Sequence, residues 1–253
     1  MKRTVILTAL LLMSVVASAT AQTSAERWEA GNKAYIEGNY DKAIEEYTAI
    51  LDGGEYSMKL YYNLANAYFK AGANGKAILY YNKALRIAPS QEDIRHNLAL
   101  AEAQTKDRIA VIPEFFLNRW LRTMRNSMSC TAWSVLSLLM FGAMLAFGLL
   151  FLLASQVRWR KVGFYGALCA FVLFVATTSF AVSSRNDMLS HSEAVVMGTA
   201  ISVKSSPDRS ATDLFVLHEG TKVEILSEVD EWVEVVIADG KKGWTLKSNI
   251  ETI

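Results

Sequence analysis

Residues 58–91 read MKLYYNLANAYFKAGANGKAILYYNKALRIAPSQ, and residues 24–57 read SAERWEAGNKAYIEGNYDKAIEEYTAILDGGEYS. Laid over each other at an offset of 34, they pair Gly38 with Gly72, Lys42 with Lys76, Ala43 with Ala77, Ile44 with Ile78 and Tyr47 with Tyr81. A period of that length marks helix-turn-helix units that bury their apolar faces by repetition. Small residues at 65, 77 and 84 let paired helices approach, and the aromatics fill the space between turns. One more step of 34 reaches Asn97, Leu98 and Ala99, so 92–107 is expected as the first helix of a third unit or a solvating cap.

The second unit, with Leu64, Ala65, Tyr68, Gly72, Ala77, Tyr81, Ala84 and Pro89, resembles the tetratricopeptide repeat family. The first departs from that pattern at Ala34 and Tyr35, where one aromatic is expected, and at Glu55 in place of the proline. The resemblance implies an all-α binding module over 22–112, holding an extended peptide in a groove lined by the first helix of each repeat. By position the groove residues are Asn32, Tyr35, Tyr62, Asn63, Asn66 and Phe69, each of which also suits an ordinary surface. One subclass clamps a free carboxylate with two asparagines and three basic residues. Asn32 and Asn63 match, but Trp28, Asp93 and Asn97 stand at the basic positions, so no clamp is expected.

Outward from the repeats, the chain changes character. It has 253 residues, 26 basic and 25 acidic groups, 52% hydrophobic and 20% charged residues. The near-balance of charge argues against a nucleic-acid partner. Lys2 and Arg3, an apolar run from Val5 to Val16, and the small residues Ala19, Thr20 and Ala21 have the order of a secretory signal peptide at 1–21, cleaved after Ala21. No cysteine lies nearby to accept a lipoprotein thioether.

Asn126 to Val157 and Val162 to Ser184 contain no charged residue, and both exceed the ~20 residues of a spanning helix. Two transmembrane helices are expected, at 130–154 and 162–184, joined by a cation-rich loop at 155–161. By the positive-inside bias that loop is cytoplasmic, which, with a cleaved signal peptide, leaves both flanking modules in one extracytoplasmic compartment. Arg119, Arg122 and Arg125 run against this orientation. Phe116, Trp120 and Met124, beside Phe115, Leu117 and Leu121, repeat at helical spacing, so 113–129 reads either as an interfacial helix whose arginines meet headgroups or as an extension of the first span. Cys130 and Cys169 fall at different depths, too far apart to pair, and are expected to pack.

After the second span come short β-rich runs separated by Ser205-Ser206-Pro207, Glu219-Gly220, Val229-Asp230-Glu231 and Ala238-Asp239-Gly240-Lys241. Val223 and Ile225 alternate with Lys222 and Glu224, Val233 and Val235 flank Glu234, and Asp239-Gly240 is a hairpin signal. Five or six such strands over 190–253 suit a small all-β barrel. The strings Glu219-Gly220-Thr221-Lys222-Val223, Trp232-Val233-Glu234-Val235 and Gly240-Lys241-Lys242-Gly243-Trp244 resemble the bacterial SH3 family. Val203-Lys204-Ser205-Ser206-Pro207 replaces the aromatic cluster that proline-motif binders use, so that activity is not expected. Trp232 and Trp244 are the residues suited to a flat binding surface, though either also suits the barrel core.

His96, His191 and His218 are scattered and in no ligand or nucleophile spacing. No phosphate loop or histidine–glutamate metal motif occurs. The expectation is therefore a non-enzymatic protein with no catalytic, metal or cofactor residues. The order signal peptide, short repeat array, two spans and SH3-like barrel resembles the BatE proteins of aerotolerance operons. That resemblance implies an inner-membrane scaffold working with von Willebrand factor A-domain proteins and a MoxR-type ATPase in a Gram-negative envelope. A second expectation is a cell-wall anchor or sensor whose barrel binds peptidoglycan peptides.

Overall fold

A computed structural model describes residues 23–110, 113, 115–190 and 192–253. The expected signal peptide at 1–21 and His191 lie outside the described residues. The described chain divides into two compact units, one ending at Tyr56 and one running from Ser57 to Ile253.

In the first unit, α1 (Ser24–Ile36) and α2 (Tyr40–Asp52) form a helical hairpin. Thr23 starts α1 through a reciprocal capping box with Glu26, and Asn39 caps α2 by accepting from the Lys42 amide. The turn between them places Gly38 at φ 79°, a left-handed value that L side chains resist. Ala34, Ala43, Tyr47 and Ile50 are buried, and Arg27 pairs with Glu46 at 3.1 Å.

The second unit opens with the same motif. α3 (Met58–Lys70), capped by Ser57, packs on α4 (Asn74–Ile87), and α5 (Glu92–Glu102) packs on α4 in turn. Leu64, Ala65, Ala77, Ile78, Leu79, Tyr81, Ala84, Ile94 and Ala101 are buried. Tyr68 and Tyr80 stack at 5.6 Å, filling the space that these small residues leave between helices.

α6 (Phe116–Arg125) is a separate helix, broken from α7 (Cys130–Leu153) by a turn. The basic segment is therefore not an extension of the first apolar helix. α8 (Val157–Leu189) begins earlier than the charge-free run, because Arg158, Arg160 and Lys161 join its first turns and leave a tight connection over 154–156. α7 and α8 are both long and apolar enough to cross a membrane. At ~1.5 Å per residue the shorter one is about 36 Å long, against ~30 Å of hydrocarbon. They pack antiparallel through Ser137 and Thr178, whose hydroxyls lie 2.7 Å apart, and through Phe141 against Phe174. A Cβ on Gly163 would come within 2.5 Å of the Phe151 backbone nitrogen, so glycine permits the close approach. Most other side chains on these helices point outward: Leu138, Leu152 and Leu153 are exposed. Cys130 and Cys169 are both free thiols, and Cys130 lies against the Ala181 carbonyl.

The C-terminal module is an antiparallel sheet of β1 (Glu193–Val196), β2 (Ala200–Lys204), β3 (Asp213–His218), β4 (Lys222–Val229), β5 (Trp232–Val236), β6 (Lys242–Leu246) and β7 (Ile250–Thr252). The order is β3-β2-β6-β5-β4-β1-β7. Alternation sets the inward face: Ala194, Val196, Ile201, Val203, Leu217, Val223, Val233, Val235 and Ile237 form its core. The β5–β6 hairpin turns at Asp239-Gly240, as expected, with the Asp239 carboxylate accepting the Lys241 amide at 3.0 Å. β7 goes beyond the six runs legible in the sequence; three residues, Ile-Glu-Thr, carry too little pattern to announce a strand, and pairing with β1 creates it.

Candidate functional site

The groove residues fall on helices whose second-helix partners hold them in place. Tyr47 donates its hydroxyl to Asn32 at 2.8 Å, and exactly one repeat later Tyr81 donates to Asn66 at 2.6 Å. Both asparagine oxygens are thus committed to joining the first helix of a repeat to the second. In the second unit Asn97, on α5, donates to the Tyr62 hydroxyl at 3.0 Å and to the Asn66 oxygen at 3.1 Å. Tyr62, Asn66 and Asn97 therefore make one polar ladder across α3 and α5. Asn97, which stands where a carboxylate clamp needs a cation, is absorbed by that ladder. Asn63 and Phe69 are half-buried on the same helix as Tyr62. In the first unit Tyr35 packs edge-on against Tyr40 at 5.5 Å.

The barrel tryptophans separate. Trp232 is 7% exposed and pairs with Leu246 and Val229 in the sheet, so it serves packing and offers no flat outer surface. Trp244, opposite Glu234 and Lys204, is half-buried and keeps part of its ring outside.

Sequence reasoning did not reach the seat of the barrel. It docks on α4, the second helix of the second hairpin. Val195 and Ile253 belong to the apolar core that holds Ile78 and Tyr81, with Met197 packed against it. Around this apolar centre runs a polar rim. The Gly75 amide donates to Glu219 at 2.9 Å, Lys76 pairs with Glu251, and Arg86 donates to the carbonyls of Ile253 and Ser190. Gly220 turns at φ 87°, and a Cβ there would meet Thr105 at 2.8 Å and Ile78 at 2.9 Å, so the β3–β4 turn must be glycine to sit down on the repeat.

The strap after α5 completes the dock. Asp107 accepts from the His218 amide at 2.7 Å and from the Thr221 hydroxyl at 2.6 Å, and its second oxygen lies 2.6 Å from His218 Nδ1. Burial pushes the Asp107 carboxyl up, but the hydrogen bonds from Thr221 and His218, with the charge of the ring, outweigh it and hold the acid below its ordinary range. Ile109, two residues on, packs against the barrel core. Burial lowers Lys83, with Lys76 and Arg86 adding to the effect and Glu251 opposing it; burial raises Glu102. No motif or spacing in the sequence marks Asp107, Glu219 or Glu251 as members of this dock.

No group of three histidine, cysteine, aspartate or glutamate side chains able to hold a metal occurs among the described residues. The chain matches the bacterial SH3 domain family over residues 199–251 and the tetratricopeptide repeat family over residues 59–91. Comparison with curated proteins finds no significant match. Both matched families are binding modules, and no enzymatic family is indicated. The chain thus combines a helical repeat module, two apolar helices and an SH3-like barrel, which supports a binding or scaffolding role.

Proposed function

We propose that this protein is a membrane-tethered scaffold of the bacterial envelope. In this reading the repeat helices α1 and α3 capture a segment of a partner protein, with Asn32, Tyr35, Tyr62, Asn63, Asn66 and Phe69 as the contact set. The observation that carries it is the dock itself: the barrel occupies the second helix of the hairpin, α4, and leaves recognition to the first helix, where Tyr62 and Asn66 are already set by Asn97 and Tyr81. Fixing those side chains before a partner arrives lowers the ordering cost of binding. Cleavage of a signal peptide at 1–21 and a cytoplasmic connection near 155–161 put both modules in the periplasm. By its domain order the protein then serves von Willebrand factor A-domain proteins and a MoxR-type ATPase of an aerotolerance system.

The test is crosslinking of the tagged full-length protein in intact cells, followed by mass spectrometry, beside Tyr62→Ala/Asn63→Ala. Loss of the same few membrane proteins from the variant supports the scaffold; unchanged capture removes it. Point variants are preferable to deletion of 190–253, because that deletion also strips Val195 and Ile253 from the core of the repeat.

A second reading rests on the bacterial SH3 match and on Trp244, whose partly exposed ring suits a peptide of the cell wall. Full-length protein in detergent should then sediment with purified sacculi, and Trp244→Ala should stay in solution.

A further inference from the structure

α6 is held in place at its C-terminal end, through Arg125. The Trp133 indole donates to the Arg125 carbonyl at 2.8 Å, and the Arg125 guanidinium reaches Asp187 at 2.7 Å and Ser183 at 2.8 Å, both on α8. The helix is thereby fixed across the heads of the two apolar helices, and its exposed apolar side carries Phe116, Trp120 and Met124. Three recesses meet on it. One of about 560 Å³ is lined by Arg95, Arg119 and Arg122 with Ser127, Thr123 and, as the one acid among the described residues, Glu92. A second, of about 670 Å³, lies between α6 and α8, with Phe115 and Leu121 on one side and Phe180 and Ser179 on the other. The third, of about 450 Å³, opens toward Arg86 and Lys222. Arg122 lines all three.

We propose that the first two recesses together hold one anionic glycerophospholipid, its phosphate on Arg95, Arg119 and Arg122 and an acyl chain in the cleft between Leu121 and Phe180. The inference rests on the reading that α7 and α8 span a bilayer, but not on which side α6 faces. Among the described lining residues, Arg119 and Arg95, whose guanidinium also donates to the Pro89 carbonyl, outnumber the Glu92 carboxylate even with Arg122 set aside, and arginine presents a planar fork matched to phosphate oxygens. The charged recess adjoins an apolar cleft at the end of two hydrocarbon-length helices, which is the depth where a lipid changes from headgroup to chain. Free phosphate would use the arginines but not the cleft. Arg95 belongs to α5, so the lipid joins the repeat module to the membrane helices.

Native mass spectrometry of the full-length protein from detergent micelles tests this, with phosphatidylglycerol and phosphatidylcholine offered at equal concentration. One retained phosphatidylglycerol per chain, at least about tenfold over phosphatidylcholine, is expected, a preference equal to about 1.4 kcal/mol. Arg95→Gln/Arg119→Gln/Arg122→Gln should lose the preference, while Arg158→Gln/Arg160→Gln, with charge removed at the far end of the helices, should keep it. Leu121→Ala/Phe180→Ala should weaken retention without abolishing the preference for the anionic headgroup. Equal retention of both lipids, or an unaffected triple variant, overturns the site. Displacement of the lipid by millimolar inorganic phosphate makes the cleft irrelevant and overturns it as well. Resistance of wild type and variants to alkaline carbonate extraction from membranes is measured alongside: extraction of the wild type removes the membrane reading itself, whereas retention with no lipid preference removes only the site.

Discussion

Asp107 reaches His218 twice, through the backbone amide at 2.7 Å and the ring at 2.6 Å, across 111 residues of chain. A single carboxylate thus ties the strap that leaves the repeat module to the strand that ends in the docked turn. Hydrogen bonds to a charged group contribute about 1.5–3 kcal/mol each, more than neutral ones. Asp107→Asn, which keeps the shape and removes the charge, is expected to loosen the barrel on α4. Hydrogen exchange should accelerate in β1 and the β3–β4 turn while the inner strands stay protected; unchanged exchange would count against the clasp.

The same carboxylate gives the dock an acid limit. Its acid is held below the ordinary carboxylate value in the folded state, so its contribution is fully present above the unfolded value of ~3.9 and is lost as pH falls through the lower folded value. Tryptophan fluorescence followed between about pH 5 and pH 2 should show a transition in the wild type that is absent or moved in Asp107→Asn. Identical curves would assign the transition to other groups.

Gly220→Ala combines a left-handed backbone with a contact of 2.8 Å to Thr105. It is expected to cost about 1–3 kcal/mol and to lower the thermal midpoint of the full chain. If the midpoint is unmoved, the turn does not bear on the repeat.

Tyr81→Phe removes one hydroxyl and leaves the Asn66 oxygen with Asn97 alone. The expected loss is about 0.5–1.5 kcal/mol by denaturant titration, and Tyr47→Phe, its counterpart one repeat earlier, should cost a similar amount. A wide difference between the two would mean that the repeats use this bond differently.

The tryptophans should also part company. Trp232, 7% exposed, is expected to cost about 3–5 kcal/mol when cut to alanine, whereas Trp244→Ala should cost clearly less. Equal losses measured by thermal unfolding would place both rings in the core and leave the barrel without its expected binding surface.

Legibility in the sequence followed the range of the interactions. Gly38 and Gly72, Tyr47 and Tyr81, and the small residues between them repeat because each helical hairpin is closed by contacts within one 34-residue unit, so the period was visible. The apolar helices announced themselves through length alone. Val233 and Val235 showed the inward face of β5, but β7 did not show, because its identity comes from pairing with β1. Trp232 and Trp244 were indistinguishable as letters, since the register places both on the sheet face opposite Val233 and Val235 and only their tertiary surroundings cover one more than the other. The seat of the barrel was out of reach for the same reason: Val195, Asp107 and Ile253 read as an ordinary strand residue, an ordinary linker acid and an ordinary final hydrophobe. The groove asparagines suit either a ligand or an ordinary surface as letters, and the bonds that join Asn32 to Tyr47 and Asn66 to Tyr81 come from the pairing of helices.

Val195 and Ile253 have one further implication, for the order of synthesis. Tyr81 and Ile78 emerge from the ribosome early, yet the core around them is finished only by residues that follow both apolar helices. Until those later residues are made, the second hairpin lacks part of its apolar core, and such unfinished apolar surface is what chaperones recognise.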